Sequence, residues 1–270
     1  MDRFPEIIAN HQKSFIQIAR NYKERVDRWE ESILLKEQHT HRVCADIKRL
    51  CQLRKHDKEL TTIAFLAALY HDIGRFEQFY RHQTFSDLQS ENHALLSLEV
   101  MDRERVFAHV PSHWEDAIRT AIRQHNLPKS PASNSEHALL GQLLRDADKL
   151  DIWNTVIHYY HRKDQTRHNR TLELGLPDNE HITPEVLNAL ITGTIVDNRK
   201  LKSINDFKLL QLGWVFDVNF TETLALIEER KYLSKIFNTL PQTPPTQKAF
   251  HSVTQYVTKR LTNYCNGSAI

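Results

Sequence analysis

Apolar residues recur every three to four positions through most of the chain, the period of amphipathic helices packed on a common core. A charged segment from about residue 5 to 37 carries apolar spots at Ile7, Ile8, Phe15, Ile18, Val26, Trp29 and Ile33 and reads as helix. A second helix is predicted over about 39–54 from Val43, Cys44, Ile47, Leu50 and Cys51. A third is predicted over about 58–73. Its run Ile63 to Tyr70 is apolar nearly all round, which marks a central, buried helix. Gly74 then serves as a natural C-terminal stop. Residues 75–90 read as a loop, with Ser90 capping a helix over about 91–103. Ser112-His113-Trp114-Glu115 has the form of a capping box and opens a helix that ends near His125. Two prolines and three serines make Asn126 to Ser135 a loop. A long helix over about 136–160 and a basic connector over 161–170, a candidate phosphate-facing rim, come next. The rest is helical with short loops; Thr183-Pro184-Glu185 and Ser203 are helix starts, and the run Leu209, Leu210, Leu212, Trp214, Val215, Phe216 is core. The expectation is an all-α protein.

Composition narrows the function. Only six glycines occur, none before Gly74, and neither GxGxxG nor GxxxxGK[ST] is present, which argues against a Rossmann or P-loop nucleotide site. A net charge of +2 is too balanced for a nucleic-acid partner recruited by field alone. Three cysteines, Cys44, Cys51 and Cys265, without CxxC spacing give neither a disulfide framework nor a zinc ribbon. The charged start of the chain and the absence of a bilayer-length apolar run point to a cytoplasmic protein without a membrane partner.

The sixteen histidines are the unusual count. His71-Asp72 lies where the most apolar helix runs out, and burying both groups is costly unless each has a strong partner. His125 continues the inward stripe Ile118, Ala121 and Ile122. His41, beside the stripe Cys44, Ile47 and Cys51, and His93, in the first turn of its helix, occupy matching places. A carboxylate from the run Asp146 to Asp151 completes six donors of the imidazole and carboxylate type that bind divalent transition metals. Leu140, Leu143, Leu144 and Ala147 set the inward face of that last helix. Asp151 is nearest to it, with Asp146 and Asp148 flanking, so spacing alone does not choose among them.

These residues resemble the HD-domain superfamily of metal-dependent phosphohydrolases, in which a histidine is followed by an adjacent His-Asp pair and a distant aspartate. His41-Arg42-Val43, His71-Asp72-Ile73-Gly74-Arg75-Phe76 and Ala147-Asp148-Lys149-Leu150 are similar to the three motifs, over residues 38 to 160. His93 and His125 fall where dinuclear members place two more histidines, although Asn126 stands where some members have a second histidine of a pair. The resemblance implies an HD helical core over 38–170, with helical extensions over 1–37 and 171–270. It selects Asp148 as the last ligand. It implies one or two ions of Fe, Mn, Co, Ni or Zn: His41, His71, Asp72 and Asp148 around the first, and His93 and His125 around a second bridged by Asp72.

The implied activity is hydrolysis of a small phosphorylated substrate, a nucleotide or related ester. Asp72 orients the attacking water, and Lys149 and Arg75 neutralise phosphate charge. Two other functions share the ligand set: a di-iron oxygenase of the inositol oxygenase-like type, and a nucleotide-binding regulator without catalysis. Part of residues 171–270 is available for a homo-oligomer surface.

Overall fold

The computed structural model describes residues 3–25, 30–108, 110–127, 136–162 and 173–267, and every regular element among them is a helix. The chain divides into two compact units, Met1–Asp151 and Ile152–Ile270.

The first unit contains α1 (Phe4–Lys23), α2 (Glu30–Leu53), α3 (Lys58–Tyr70), α4 (Gly74–His82), α5 (His93–Arg103), α6 (Ser112–His125) and most of α7 (Glu136–Tyr160). Helix α3 is its axis. Asp57 caps it by accepting a hydrogen bond from the Leu60 amide at 2.8 Å. Every residue from Thr62 to Tyr70 is buried, so a helix apolar all round is enclosed all round. Helices α1, α2 and α6 pack against it. Helix α1 contributes the stripe His11, Phe15, Ile18, Ala19 and Tyr22. Its His11 Nδ1 lies 3.0 Å from the Tyr70 hydroxyl. The N-terminal segment therefore packs into this core, and the boundary between the two compact units falls within α7.

Four local expectations are corrected. The polar N-terminal segment is two helices. The second, α2, starts at Glu30, well before residue 39, because Ile33, Thr40, Val43, Ile47 and Leu50 continue one buried stripe. Residues 75–90 hold helix α4 and a 3-10 turn at Asp87–Gln89 rather than a plain loop. Helix α5 is capped by Asn92, whose side chain accepts from the Ala94 and Leu95 amides. Ser90 Oγ instead accepts from Gln78 Nε2 at 2.9 Å and donates to the Ser86 carbonyl at 2.8 Å. Helix α6 has Pro111 at its cap with no side-chain hydrogen bond, which leaves Ser112 as its first residue and Glu115 free to accept from Arg119 Nε.

Gly74 is not a left-handed helix stop. It opens α4, and it is small because the backbone of α5 presses on it. A Cβ at this position would meet Ser97 N at 2.3 Å, the His93 carbonyl at 2.5 Å and Leu96 C at 2.6 Å. Ser97 Oγ locks the approach by accepting from the Gly74 amide at 2.9 Å and donating to the His71 carbonyl at 2.7 Å. The α3–α4 corner carrying His71-Asp72 is thereby pinned to the helix that begins with His93.

The second unit holds the end of α7 with α8 (Pro184–Ile191), α9 (Ile204–Gly213), α10 (Thr221–Glu229), α11 (Tyr232–Phe237) and α12 (Pro244–Gly267). Ser203 caps α9 through the Asp206 amide, as its sequence predicts. Leu209, Leu210, Leu212 and Val215 are buried, and Trp214 and Phe216 are partly covered. Trp153 sits against Trp214 and Tyr232 and donates its indole N–H to the Gln211 carbonyl at 2.9 Å. Among the described residues no helix is long and apolar enough to cross a membrane. Residues 163–170 of the basic connector and 128–135 of the predicted loop lie outside the described residues, as do Val26 and Trp29.

Candidate metal centre

Four helices and one helix corner converge on a basin in the first unit. His39 comes from α2, His71 and Asp72 from the α3–α4 corner, His93 from the start of α5, His125 from the end of α6 and Asp148 from α7. Three overlapping groups, His39–His71–Asp72, His71–His125–Asp148 and Asp72–His93–His125, each have donor atoms within 4.8 Å of one another. His39 Nε2 lies 3.3 Å from His71 Nε2, 3.2 Å from Asp148 Oδ1 and 3.5 Å from Asp72 Oδ2. His93 Nε2 lies 3.0 Å from His125 Nε2 and 3.5 Å from Asp72 Oδ1. The two oxygens of Asp72 therefore face different halves of the basin.

The histidine that α2 brings to the basin is His39, not the expected His41. Two residues along a helix are about 200° apart around its axis, so only one of the pair can face inward. His39 is 6% exposed, whereas His41 is exposed with its ring against Phe15 at 5.9 Å between centroids. A sequence signal did exist: Val43 lies one turn beyond His39, and Arg42 lies three residues beyond it.

The last carboxylate question resolves into two roles. Asp148 enters the basin. Asp151, which is 1% exposed, stands behind His39 and accepts from its Nδ1 at 2.6 Å, while also binding the Arg42 guanidinium. Asp146 is buried but belongs to none of the three groups. Cys44 and Cys51 are free, buried core thiols.

The hydrogen bonds behind the rings fix what the rings present. His71 Nδ1 lies 2.8 Å from the Ala68 carbonyl, and His125 Nδ1 lies 2.7 Å from the Ile122 carbonyl. His93 Nδ1 lies 2.6 Å from Asp87 Oδ2. Carbonyls and carboxylates accept, so in the neutral rings all four Nδ1 atoms carry the hydrogen and all four Nε2 atoms turn a lone pair inward. Bare lone pairs at 3.0–3.3 Å from one another and beside two carboxylates repel unless a cation lies among them. A proton partly answers this. Burial opposes charge on His39, but Asp148 and Asp151 outweigh it and raise its pKa to about 9. His125 has no such aid: burial, with His93 and His71 beside it, lowers it to about 3. Despite burial, Lys36, His71 and Arg75 hold Asp72 well below the usual carboxylate range; His39 and His71 do the same for Asp148. With the proton on His39 given up to an ion, four neutral imidazoles and two ionised carboxylates, without thiolate, fit a divalent transition metal.

The cations divide unexpectedly. Lys36, one turn before His39, places Nζ 2.8 Å from Asp72 Oδ2 and 5.5 Å over the Phe85 ring. Nothing in the chain pattern singled it out. Arg75 faces inward but is committed to the wall. Its Nη1 donates to the Phe85 carbonyl, Gln78 Oε1 and Asp87 Oδ1 at 2.6–2.9 Å, and its Nε lies 3.4 Å from Asp72 Oδ1. Arg75 thus ties Asp72 to Asp87 and to the Phe85 carbonyl within the wall. Lys149 is part-buried beside Asp148. Asn126 Nδ2 contacts Asp87 Oδ2 at 3.4 Å and Asn92 Oδ1 at 3.2 Å, which ties the end of α6 to the same wall. Arg145, from α7, donates to the His125 and Leu127 carbonyls at 2.9 and 2.6 Å, satisfying the C-terminus of α6 where His125 sits.

Comparison with curated proteins and with solved structures gives no match. The family model described as HD domain matches residues 8–153, more than half of the chain and the whole of the basin. Proteins of this superfamily are in general metal-dependent hydrolases. The converging histidines and aspartates and the family match agree: this chain belongs to the HD domain family.

Proposed function

We propose that the basin holds two divalent transition-metal ions and hydrolyses a phosphate ester or anhydride bond of a small phosphorylated molecule. The observation that carries this reading is the set of four inward Nε2 atoms divided by the two oxygens of Asp72. His39, His71, Asp148 and Asp72 Oδ2 would hold one ion; His93, His125 and Asp72 Oδ1 would hold the other. Bound ions of this class polarise phosphoryl oxygens and bring the pKa of water to about 7. Asp72, ionised and central, orients the attacking water as a proton acceptor. Lys36 at Asp72, and Lys149 next to Asp148, supply positive charge toward phosphoryl oxygens. Arg75 keeps Asp72 and Asp87 in place.

The test joins elemental analysis of the purified protein to a phosphate-release screen over nucleotides and simple phosphate esters. The expected result is up to two ions per chain, and phosphate release that survives strict exclusion of air. Asp72→Ala should lose bound metal and hydrolysis together. Full metal content in that variant would end the ligand assignment. Consumption of dioxygen, with loss of turnover in its absence, would replace hydrolysis with the oxygenase chemistry that the same donors support.

A further inference from the structure

The two halves of the basin are braced differently. In each half one histidine is backed by a backbone carbonyl and one by a carboxylate: His71 and His39 on one side, His125 and His93 on the other. The carbonyls belong to helix turns and are equivalent. The carboxylates are not. Asp151 lies in the interior of the 25-residue helix α7, on the same rigid element as Asp148, and its side chain is 1% exposed. Asp87 sits on a three-residue 3-10 turn between α4 and α5, and its side chain is 30% exposed.

That turn is held from outside rather than by its own structure. Gln83, in the left-handed region at φ 54°, leads the chain out of α4. Arg75 Nη1 grips the Phe85 carbonyl at 2.6 Å and Asp87 Oδ1 at 2.9 Å. The fully buried Gln78 donates from Nε2 to Asp87 Oδ1, Ser90 Oγ and the Glu91 carbonyl. Asp87 is the point at which these contacts reach a donor atom, through His93 Nδ1 at 2.6 Å. A carboxylate behind an imidazole fixes its tautomer and raises its basicity as a ligand.

We propose that Asp87 is the positioning residue that makes the His93–His125 half competent for an ion, and that this half fills after and empties before the His39–His71–Asp148 half. The proposal rests on the two-ion reading above. It adds an order of loading and a residue that controls it.

Mn2+ alone is the probe, titrated into the full-length, metal-stripped protein by calorimetry and followed by electron paramagnetic resonance. The wild type should show two binding events of unequal affinity and a spin-coupled pair at saturation. Asp87→Asn should weaken the weaker event by about 10–100-fold and leave the tighter one unchanged. At the same Mn2+ concentration its spectrum should be that of isolated ions. Asp151→Asn should weaken the tighter event instead. Retention of the tighter event in Asp87→Asn doubles as the check on folding. If Asp87→Asn does not fold, Asp87→Glu, which keeps the carboxylate on a longer arm, should show a smaller loss in the weaker event. Wild-type affinities for both ions in the foldable Asp87 variant would overturn the proposal, as would loss of the tighter event. A wild type that takes up one ion or none would sink the two-ion reading itself, a result distinct from failure of the Asp87 assignment.

Discussion

At the scale of single residues, the first histidine is the sharpest lesson. The sequence points to His41, and a shift of two positions to His39 reverses the side of the helix. Replacing each with Ala separates them: His39→Ala should lose bound metal by elemental analysis, whereas His41→Ala should keep it. His71, Asp72, His93 and His125 were legible because each ends or begins a strongly patterned helix, where a polar group facing inward stands out. Asp148 was legible only through family resemblance. The periodicity of α7 points to Asp151 because Asp151 is the more deeply buried carboxylate. Burial selects the residue behind the ring, not the one that enters the basin. Lys36 and Asp87 carried no pattern at all: Lys36 gains its meaning from Asp72, 36 residues away, and Asp87 from a short turn that no periodicity marks.

At the scale of elements, long helices with a clean apolar face were readable, as α3, α7 and α9 show. What misled was punctuation. Gly74 follows an apolar helix and resembles a stop, yet what it supplies is absence of volume rather than a left-handed turn. The atoms that a Cβ would strike are backbone atoms of α5, at 2.3–2.6 Å, and cannot swing aside as a flexible side chain could. Gly74→Ala should therefore destabilise the fold by about 1–3 kcal/mol through overpacking. That outweighs the gain of at most about 1 kcal/mol from Ala's better helix propensity. The urea midpoint of unfolding reads the result, and an unchanged or raised midpoint would refute it. Helix α4 escaped prediction because its polar residues Glu77, Gln78 and Arg81 look like loop composition. In the structure Glu77 accepts from Tyr22, Arg81 and Arg103, and Gln78 reaches the 87–91 segment, so polar partners hold this helix in place together with the buried Phe76, which packs on Phe15 and Tyr22.

At the scale of the whole molecule, the all-α class follows from periodicity and scarce glycine, whereas unit boundaries do not. No composition change marks Asp151, because α7 continues through it. The basin also carries a folded-state cost, since buried carboxylates and facing imidazoles are held together by folding. An ion that binds the folded chain should return stability according to its concentration relative to its Kd, by about 2.7 kcal/mol at a hundredfold excess over Kd. The melting temperature of metal-stripped protein should therefore rise steadily with added Mn2+. The rise should be absent in Asp72→Ala. A melting temperature indifferent to Mn2+ in the wild type would show that the basin does not take the ion.

The clamps behind the four imidazoles have a further consequence. Turning any one ring to aim its Nε2 elsewhere breaks a buried hydrogen bond, at about 1–3 kcal/mol for the group left without a partner. The donors are thus ordered during folding, before anything arrives, and little conformational entropy is left to lose on binding. A receptor already rigid in its empty form has little means of adapting to its guest. Such a receptor discriminates by whether the guest fits the spacing it presents, so ionic radius and preferred geometry, more than intrinsic affinity, would govern which metal the basin retains.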